Sequence, residues 1–382
     1  MSFLPPPGPF RLLGLAALLV GAALPGRAGM PPAPELPAPP VEAPRRSAWP
    51  EQLHVAGPQL LTASGRPAWL QGIHVVSLEW TPRGENVLRA TQVALDDWKA
   101  NVIRLSVRDD YWDGRAKGQT DGGAAYRALV DAVITLAANR GAYTVIDLHL
   151  YRAVREEHVV FWEKVARLYG NHPAVLFDLL NEPHSISWDV WRNGGEVTER
   201  TKPADEDAFL SAADRAKAVR SFRSPGMQAV VNAIRATGAR NVIIAGGLDW
   251  AYDLSGVVQG YALEDKTGHG IMYSTHIYPW KSDWQGKVLV AAAKFPIFVG
   301  EVGCDVKRMP FIPPERHEDP YTWAPDVLGL IQKHHLHWTA FSFHPVATPV
   351  LISDWNFTPT PFWGEFAKAA LQGRHFELKR LR

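Results

Sequence analysis

Short runs of hydrophobic residues, rich in Val, Ile and Leu, recur along the chain. Nearly continuous apolar runs of this kind are typical of parallel β-strands that are buried on both faces. They predict strands at residues 69–76, 101–107, 142–150, 174–181, 241–246, 270–277, 295–301 and 338–343. Helix-like stretches lie between or after them, at residues 125–139, 158–169, 227–237, 325–334 and 360–371. This alternation predicts an α/β fold, a closed (β/α)8 TIM barrel, with its functional site where the strands end.

Two segments add to the predicted barrel. Residues 59–63 and 67–71 flank Ser64-Gly65-Arg66, which predicts a small N-terminal β-hairpin at the barrel bottom. Residues 185–224 are polar and charged, which predicts an insertion over the mouth after the fourth strand. An open, doubly wound sheet would normally carry a Gly-rich phosphate-binding turn after its first strand. Gly72 is instead followed by Ile-His-Val-Val, so the barrel is favoured.

The N-terminus has the pattern of an exported protein. Arg11 precedes the apolar residues 12–24, and small residues follow, so residues 1–29 are predicted to be a secretory signal peptide. The apolar run is too short to span a bilayer comfortably, and no stable membrane insertion is expected after its removal. Residues 30–50 are proline-rich and predict an extended linker, which leaves residues 51–382 as one catalytic domain. The expected location is secreted or periplasmic.

Composition narrows the classes of partner. The 382 residues include 40 basic and 39 acidic side chains, a net charge of +1, which does not favour nucleic acid or an anionic membrane. The 15 tryptophans point weakly to carbohydrate, because indole faces stack on the apolar faces of sugar rings. The single cysteine, Cys304, excludes an intramolecular disulfide. We expect a monomer whose partner is a β-glycan.

Two glutamates end apolar runs on opposite sides of the predicted barrel. Glu182 follows Val-Leu-Phe-Asp-Leu-Leu-Asn after the fourth strand, and Glu301 follows Pro-Ile-Phe-Val-Gly on the seventh. A charge at such a position needs a reason, because burying it is costly. Glycoside hydrolysis with retention needs two carboxyl groups about 5–5.5 Å apart, one protonated and one ionised. The pair is therefore predicted to be catalytic, and its predicted positions across the barrel mouth suit this reaction.

The residues around this pair resemble a known family. Asp-Leu-Leu-Asn-Glu-Pro-His at 178–184 and Ile-Phe-Val-Gly-Glu-Val-Gly at 297–303 are similar to the two catalytic signatures of glycoside hydrolase family 5, the cellulase-type family of clan A. The similarity in order and spacing covers most of residues 55–370. The resemblance implies that Glu182 is the acid/base and Glu301 the nucleophile.

The same resemblance implies roles for five supporting residues. Arg104 would hold the nucleophile ionised, and His149 would contact the sugar bound before the scissile bond. Asn181 would form a hydrogen bond with the sugar 2-hydroxyl. On the sixth strand, His276 would lie near the acid/base and Tyr278 would donate to the nucleophile.

The sequence also departs from the family pattern. Many members have Asn where this chain has His74, a further candidate for substrate binding. The eighth strand usually ends in a tryptophan that forms the floor of the central sugar site, whereas this chain offers Phe343 or His344. Aromatic platforms could come instead from three other tryptophans: Trp112, Trp280 and Trp355.

The leading hypothesis is an endo-β-1,4-glucanase that needs no cofactor or metal. A β-mannanase or an exo-acting β-glucosidase of the same family is the nearest alternative, and a non-catalytic carbohydrate-binding barrel is the alternative outside the enzyme class. A metal-dependent hydrolase is a third possibility. His334, His335 and His337 resemble a metal cluster but are interpreted as a solvated helix end. Ser185 and Ser187 lack the nucleophile elbow of a serine hydrolase.

Overall fold

The computed structural model describes residues 33–200, 219–310 and 312–382, and its centre is a closed barrel of eight parallel strands. In chain order the strands are β1 (Gln71–Val75), β2 (Val102–Val107), β3 (Tyr143–Leu148), β4 (Val175–Asp178), β5 (Ile243–Gly246), β6 (Ile271–Ile277), β7 (Ile297–Val302) and β8 (His337–Ala340). Each strand pairs with the next, and β8 pairs with β1. The (β/α)8 prediction is therefore confirmed.

Helices surround the strands and cover the outer face of the barrel. They are α1 (Val87–Asp96), α2 (Asp109–Trp112), α3 (Ala124–Ala138), α4 (Glu156–Tyr169), α5 (Trp188–Asn193), α6 (Met227–Ala236), α7 (Val290–Ala292), α8 (Pro320–Lys333) and α9 (Gly364–Leu371). Single turns of π-helix at Val257–Tyr261 and Gln285–Leu289 and of 3-10 helix at Arg46–Ala48 and Pro314–Arg316 complete the set. Helix α8 begins five residues before the predicted position, because the side chain of Asp319 caps the N–H of Tyr321 and Pro320 occupies the first turn.

The N-terminal hairpin closes the bottom of the barrel, one strand earlier than predicted. It pairs Leu53–Ala56 with Gln59–Thr62, and Pro67 makes only an isolated bridge to Leu61 because proline has no N–H to donate. Leu53 and Leu60 pack against side chains inside the barrel, among them Phe298 of β7. The hairpin therefore stabilises the barrel at the end opposite the site.

The described part of the proline-rich segment is docked on the barrel rather than free. The side chain of Asn86 accepts the N–H of Leu36, and the side chain of Asn139 accepts the N–H of Arg45. These amides satisfy backbone groups of an extended segment that forms no ladder of its own. The domain boundary at residue 51 stays a prediction, and the predicted signal peptide lies outside the described residues. Within the described ranges, no helix is long and apolar enough to cross a bilayer.

The insertion after β4 is partly regular. It contains α5 and a two-stranded ribbon, Gly195–Arg200 paired with Val219–Ser224. Arg152 and Arg155, which follow β3 at its carboxyl end, hold this ribbon: Arg152 donates to the Thr198 carbonyl at 2.6 Å, and Arg155 pairs with Glu199 at 2.6 Å. The ribbon therefore lies on the mouth side of the barrel, as predicted. Residues 201–218 of the insertion lie outside the described residues.

Gly72 permits the close approach of β1 and β2. A Cβ at this position would lie 1.8 Å from the carbonyl oxygen of Val102. We expect Gly72→Ala to lower the free energy of unfolding by about 3 kcal/mol, because paired strands cannot withdraw from the clash. Urea unfolding measures the loss. Gly57→Ala in the open hairpin turn, where φ is +60° and no atom lies within 4 Å, should cost only about 1 kcal/mol. Equal losses in the two variants would contradict this account.

Candidate active site

The polar residues predicted from the strand ends meet at the mouth of the barrel. Arg104 lies in β2, His276 in β6 and Glu301 in β7, while Glu182 comes four residues after the end of β4. The strands are apolar where they face the helices, and their inward-facing residues at the carboxyl ends are polar. The barrel therefore brings together side chains that are far apart in sequence.

The two glutamates face one another across a single imidazole. Nδ1 of His276 lies 3.0 Å from Oε1 of Glu182 and 3.5 Å from Oε2 of Glu301. An oxygen of Glu182 and an oxygen of Glu301 lie within 4.8 Å of each other. Retaining glycosidases place their carboxyl groups about 5–5.5 Å apart, and inverting enzymes about 6.5–9.5 Å. An oxygen–oxygen distance below 4.8 Å is closer to the retaining spacing than to the inverting one.

Donors surround the buried carboxylate of Glu301. The hydroxyl of Tyr278 donates to Oε2 at 2.6 Å, and Nη1 of Arg104 donates to Oε1 at 3.1 Å. Burial and the negative charge of Glu301 raise the pKa of Tyr278, so its hydroxyl keeps the proton that it donates. These contacts stabilise a negative charge on Glu301, as a nucleophile requires.

Glu182 has the opposite environment. Burial, and after it the charge of Glu301, raises the pKa of Glu182 well above its ordinary value. Burial and the nearby Arg104 guanidinium depress the pKa of His276, so the imidazole is neutral near pH 7. Glu182 therefore keeps a proton at a pH where an exposed glutamate would have lost it. Two carboxyls with opposite environments are the arrangement that separates an acid from a nucleophile.

A layer of buried charge lies beneath the pair, and sequence reasoning missed most of it. Arg104 lies 3.0 Å from a carboxylate oxygen of Asp147 and 3.0 Å from one of Asp178, and it donates to Asn181 at 2.9 Å. Burial raises the pKa of Asp147 to about 7 and that of Asp178 to about 8, although Arg104 lowers both. Each aspartate interrupts an apolar strand run, which was the available sequence signal. The contacts also bring Asn181 next to Arg104.

His74 and His149 belong to the same network. Nη1 of Arg104 lies 3.1 Å from Nδ1 of His74, so Nδ1 accepts and the ring proton lies on Nε2, which donates to Ser106 Oγ at 2.7 Å. Oγ of Ser106 is also 3.2 Å from His149 Nδ1. Burial lowers the pKa of both histidines. His74 is fully buried, with its Nδ1 3.6 Å from Oε1 of Glu301, which corrects the prediction that it contacts substrate.

Two predicted aromatic platforms lie in the hydrophobic core. Trp112 is 1% exposed and packs edge-on against Phe161, with ring centroids 5.6 Å apart. Phe343 is 1% exposed and packs against Trp98 at 4.8 Å. The predictions that they bind sugar are wrong, because both rings fill space between strands and helices.

The other predicted aromatic residues lie near the mouth. Trp280 is half-buried and stacks on Tyr278 with centroids 4.8 Å apart and planes 1° from parallel. Trp355 is half-buried and packs edge-on against His344 at 4.8 Å. His344 itself is buried and pairs with Glu85 at 2.8 Å, so it anchors the loop after β1 and offers substrate no surface. That Trp280 and Trp355 are aromatic platforms for sugar stays a proposal.

Phe341, which sequence reasoning passed over, is the aromatic residue that directly follows β8. Its ring centroid lies 5.2 Å from that of His74 and 6.4 Å from that of Tyr278. The run Ala-Phe-Ser-Phe contains two phenylalanines, and only the point where the strand ends decides which one faces the site. The first lies beside His74 and Tyr278, which both lie near Glu301.

Among the residues that the structure describes, two groups of side chains could hold a metal ion. Each contains Glu301: His74 and His149 form one with it, and Glu182 and His276 the other, with ligand atoms within 4.8 Å of one another. Every one of these residues is already paired within the network described above. The absence of a metal or cofactor stays a prediction. Of the three histidines before and in β8, His337 is not solvated: it is buried, and its Nδ1 accepts the N–H of Leu70 at 3.0 Å.

Known proteins with similar sequences include several endoglucanases. A model of the family Cellulase (glycosyl hydrolase family 5) matches residues 61–346. Endoglucanase E-5 of Thermobifida fusca is 25% identical over 274 residues, which are 66% of this chain and 48% of that protein. Endoglucanase CelA of Streptomyces lividans is 26% identical over 268 residues, 66% of this chain and 49% of that protein. The chain spans about half the length of these curated relatives.

Solved structures share the fold. The β-glucanase SdGluc5_26A of Saccharophagus degradans, in complex with cellotetraose, superposes with a TM-score of 0.65 at 20% identity, covering 88% of this chain and 97% of that one. The catalytic domain of Thermobifida fusca endoglucanase Cel5A gives a TM-score of 0.59 at 18% identity, covering 84% and 97%. Both are barrels of the kind found here. Since the family model matches well over half of its residues, the chain belongs to glycosyl hydrolase family 5, the cellulase family.

Proposed function

We propose that the protein is a retaining glycoside hydrolase that cleaves β-1,4-glucan within the chain, by double displacement and without a metal or cofactor. The observation that carries the proposal is the carboxyl pair, with Glu182 and Glu301 bridged by one nitrogen of His276. Their spacing suits retention, and their environments suit an acid and a nucleophile. Both glutamates are present, and each has hydrogen-bond partners of its own. This favours an enzyme over a non-catalytic binding barrel.

The first step forms a covalent glycosyl-enzyme. A carboxylate oxygen of Glu301 attacks the anomeric carbon while Glu182 gives its proton to the glycosidic oxygen. The bond between the anomeric carbon and this oxygen breaks, and the leaving sugar departs with a new hydroxyl group. Arg104 and Tyr278, both within hydrogen-bond distance of Glu301, keep the nucleophile aimed at the anomeric carbon.

The second step reverses the roles of the pair. Glu182, now ionised, takes a proton from a water molecule, and the hydroxyl oxygen attacks the anomeric carbon. The ester bond to Glu301 breaks, its carboxylate returns to Arg104 and Tyr278, and Glu182 is protonated again. Because two inversions occur at the same carbon, the product has the β configuration of the substrate.

The relatives support β-1,4-glucan as the substrate, because those proteins are named endoglucanases. β-Mannan and the exo-cleavage of short β-glucosides are the alternatives. The proposal includes action outside the cytoplasm, either secreted or periplasmic, which rests on the predicted signal peptide and on the polymeric substrate. It also includes a monomeric state.

The test is hydrolysis of a panel containing soluble cellulose, mannan, xylan and aryl glycosides, with product anomers followed by NMR. We expect soluble cellulose to be preferred, its viscosity to fall faster than reducing ends appear, and the β-anomer to form first. Initial release of the α-anomer would refute retention. Preference for mannan, or release of glucose alone, would refute the endoglucanase assignment and leave the mechanism standing.

A further inference from the structure

The buried imidazole of His74 has no role in the two steps of the proposed mechanism. His74 lies in β1, and in the parallel pairing of β1 with β2 it stands opposite Arg104. Side chains two residues apart on a strand share a face, so Ser106 projects on the same side of β2 as Arg104. Nδ1 of His74 is 3.1 Å from Nη1 of Arg104, and Nε2 is 2.7 Å from Oγ of Ser106. One imidazole therefore joins two side chains of the neighbouring strand.

Each ring nitrogen of His74 has a fixed role. Arg104 can only donate, so Nδ1 accepts and the ring proton lies on Nε2. Burial, and after it the Arg104 guanidinium, lowers the pKa of His74 well below its ordinary value, so Nδ1 keeps its lone pair near neutral pH. Edge-on contacts with the rings of His149 at 5.6 Å and Phe341 at 5.2 Å hold the imidazole in this orientation.

Arg104 divides the N–H groups of one nitrogen between His74 and the nucleophile. Nη1 carries two N–H groups, and its partners are Nδ1 of His74 at 3.1 Å and Oε1 of Glu301 at 3.1 Å. Nε donates to Asp178 at 3.0 Å, and Nη2 donates to Asn181 at 2.9 Å. Without an acceptor on His74, one N–H of a fully buried guanidinium would lose its partner, which is costly. The guanidinium therefore has a reason to stay where it is.

Nδ1 of His74 also lies close to the nucleophile itself. It is 3.6 Å from Oε1 of Glu301, and both atoms are hydrogen-bond acceptors. Two acceptors at this distance are held together by a donor that serves both, and Nη1 of Arg104 is that donor. If the guanidinium turned both N–H groups of Nη1 towards Glu301, the lone pair of Nδ1 would face the carboxylate with no proton between them. The contact with His74 therefore favours one orientation of Arg104.

We propose that His74 is a positioning residue for the nucleophile: it fixes the Arg104 guanidinium, which in turn keeps the Glu301 carboxylate aimed at the anomeric carbon. The inference rests on the proposed function, in which Glu301 is the nucleophile, and adds a residue that touches neither the substrate nor the reacting atoms. A displacement of about 1 Å can cost roughly a hundredfold in rate, even when its cause is far from the chemistry. His74 therefore acts on the rate of attack and not on sugar binding.

The experiment compares two substrates in the full-length protein. Cellotetraose needs a proton on its leaving sugar, and β-cellobiosyl fluoride loses only a fluoride ion, but both need the nucleophile. His74→Phe keeps a ring and removes both nitrogen atoms. We expect kcat/KM to fall at least about tenfold on both substrates, with KM for cellotetraose within about twofold of wild type, because Glu301 is misplaced while the sugar sites are intact.

His74→Asn is the conservative variant. Its amide oxygen can accept an N–H of Arg104 in place of Nδ1, so kcat should stay within about threefold of wild type. If His74→Phe does not fold, His74→Leu takes its place. Leucine has nearly the shape of asparagine and no acceptor, so kcat of the Leu variant should be at least about tenfold below that of the Asn variant.

His337→Phe is the matched control. His337 is also a buried imidazole on a barrel strand, and its Nδ1 accepts the N–H of Leu70 at 3.0 Å, but at the opposite end of the barrel. This variant should lower the unfolding midpoint, as His74→Phe should, and leave kcat on both substrates near that of wild type.

Four results would overturn the positioning role while the proposed function stands. They are equal losses of kcat in His74→Phe and His337→Phe, near-normal kcat in folded His74→Phe, a loss on cellotetraose alone, and an Asn variant as slow as the Phe variant. A change confined to KM would make His74 a determinant of sugar binding and would also contradict the inference. A wild-type protein that hydrolyses neither substrate would instead refute the proposed function.

Discussion

Replacing Glu301 with glutamine is expected to abolish turnover of every glycoside that the enzyme cleaves. The amide is neutral and cannot form the ester with the anomeric carbon, so the first step has no nucleophile. Residues that act as one catalytic unit typically cost about a millionfold in kcat when one is removed. Reducing-sugar release from soluble cellulose and fluoride release from β-cellobiosyl fluoride should both fall to background, because the better leaving group does not replace the nucleophile.

The control for this variant is another glutamate on the mouth side. Glu199 lies in the ribbon, where it pairs with Arg155 at 2.6 Å, and Glu199→Gln should retain near-normal rates. Circular dichroism should show that Glu301→Gln folds, since glutamine has the same shape and can still accept one of the two hydrogen bonds. Near-normal turnover by folded Glu301→Gln would remove Glu301 from the mechanism.

The barrel could be predicted from the sequence because its strands are buried on both faces. Continuous apolar runs at residues 101–107 and 270–277 correspond to β2 and β6 within one residue at each end. The pattern was less accurate at β4 and β8, where apolar residues continue after the hydrogen-bonded ladder ends. Hydrophobicity shows which residues are buried and does not show where pairing stops. The apolar run therefore favours Phe343, although Phe341 is the aromatic residue that directly follows β8.

Glu182 and Glu301 could be proposed from the sequence because each ends an apolar run with a charge. The supporting structure could not be found in this way. Asp147 and Asp178 contact Arg104 only after three strands have come together. The turn at Trp250, which follows β5, contains no glycine that would indicate its left-handed backbone. Contacts with Pro183 and other residues distant in sequence impose that backbone. Long-range contacts of this kind have no local signal.

The buried charges link folding to catalysis. Arg104 is fully buried and lies near three carboxyls, an arrangement whose desolvation is costly even when the geometry is good. The same lack of water raises the pKa of Glu182 and depresses that of His276. The desolvation that disfavours this cluster during folding therefore also favours the protonated form of Glu182.

Replacing Glu182 with alanine is expected to give a loss that depends on the leaving group. For cellotetraose, whose sugar leaving group needs a proton, kcat/KM should fall by roughly a hundredfold to ten-thousandfold, the usual contribution of general acid catalysis. For β-cellobiosyl fluoride, formation of the glycosyl-enzyme should persist, and its hydrolysis should become slow because no base activates water. Azide, which needs no base, should restore turnover and yield a β-glycosyl azide.

The raised pKa of Glu182 also predicts the direction in which kcat/KM changes with pH. Glu182 must be protonated for the first step, and burial raises its pKa, so wild-type kcat/KM on cellotetraose should fall as the pH rises through that value. Below the pKa the acid is present and this limb is flat. In Glu182→Ala the alkaline limb should vanish from the residual activity, whereas Glu199→Gln should leave it in place. If the limb stays at the same pH in Glu182→Ala, another group supplies the proton, and the raised pKa of Glu182 reflects only its burial beside Glu301.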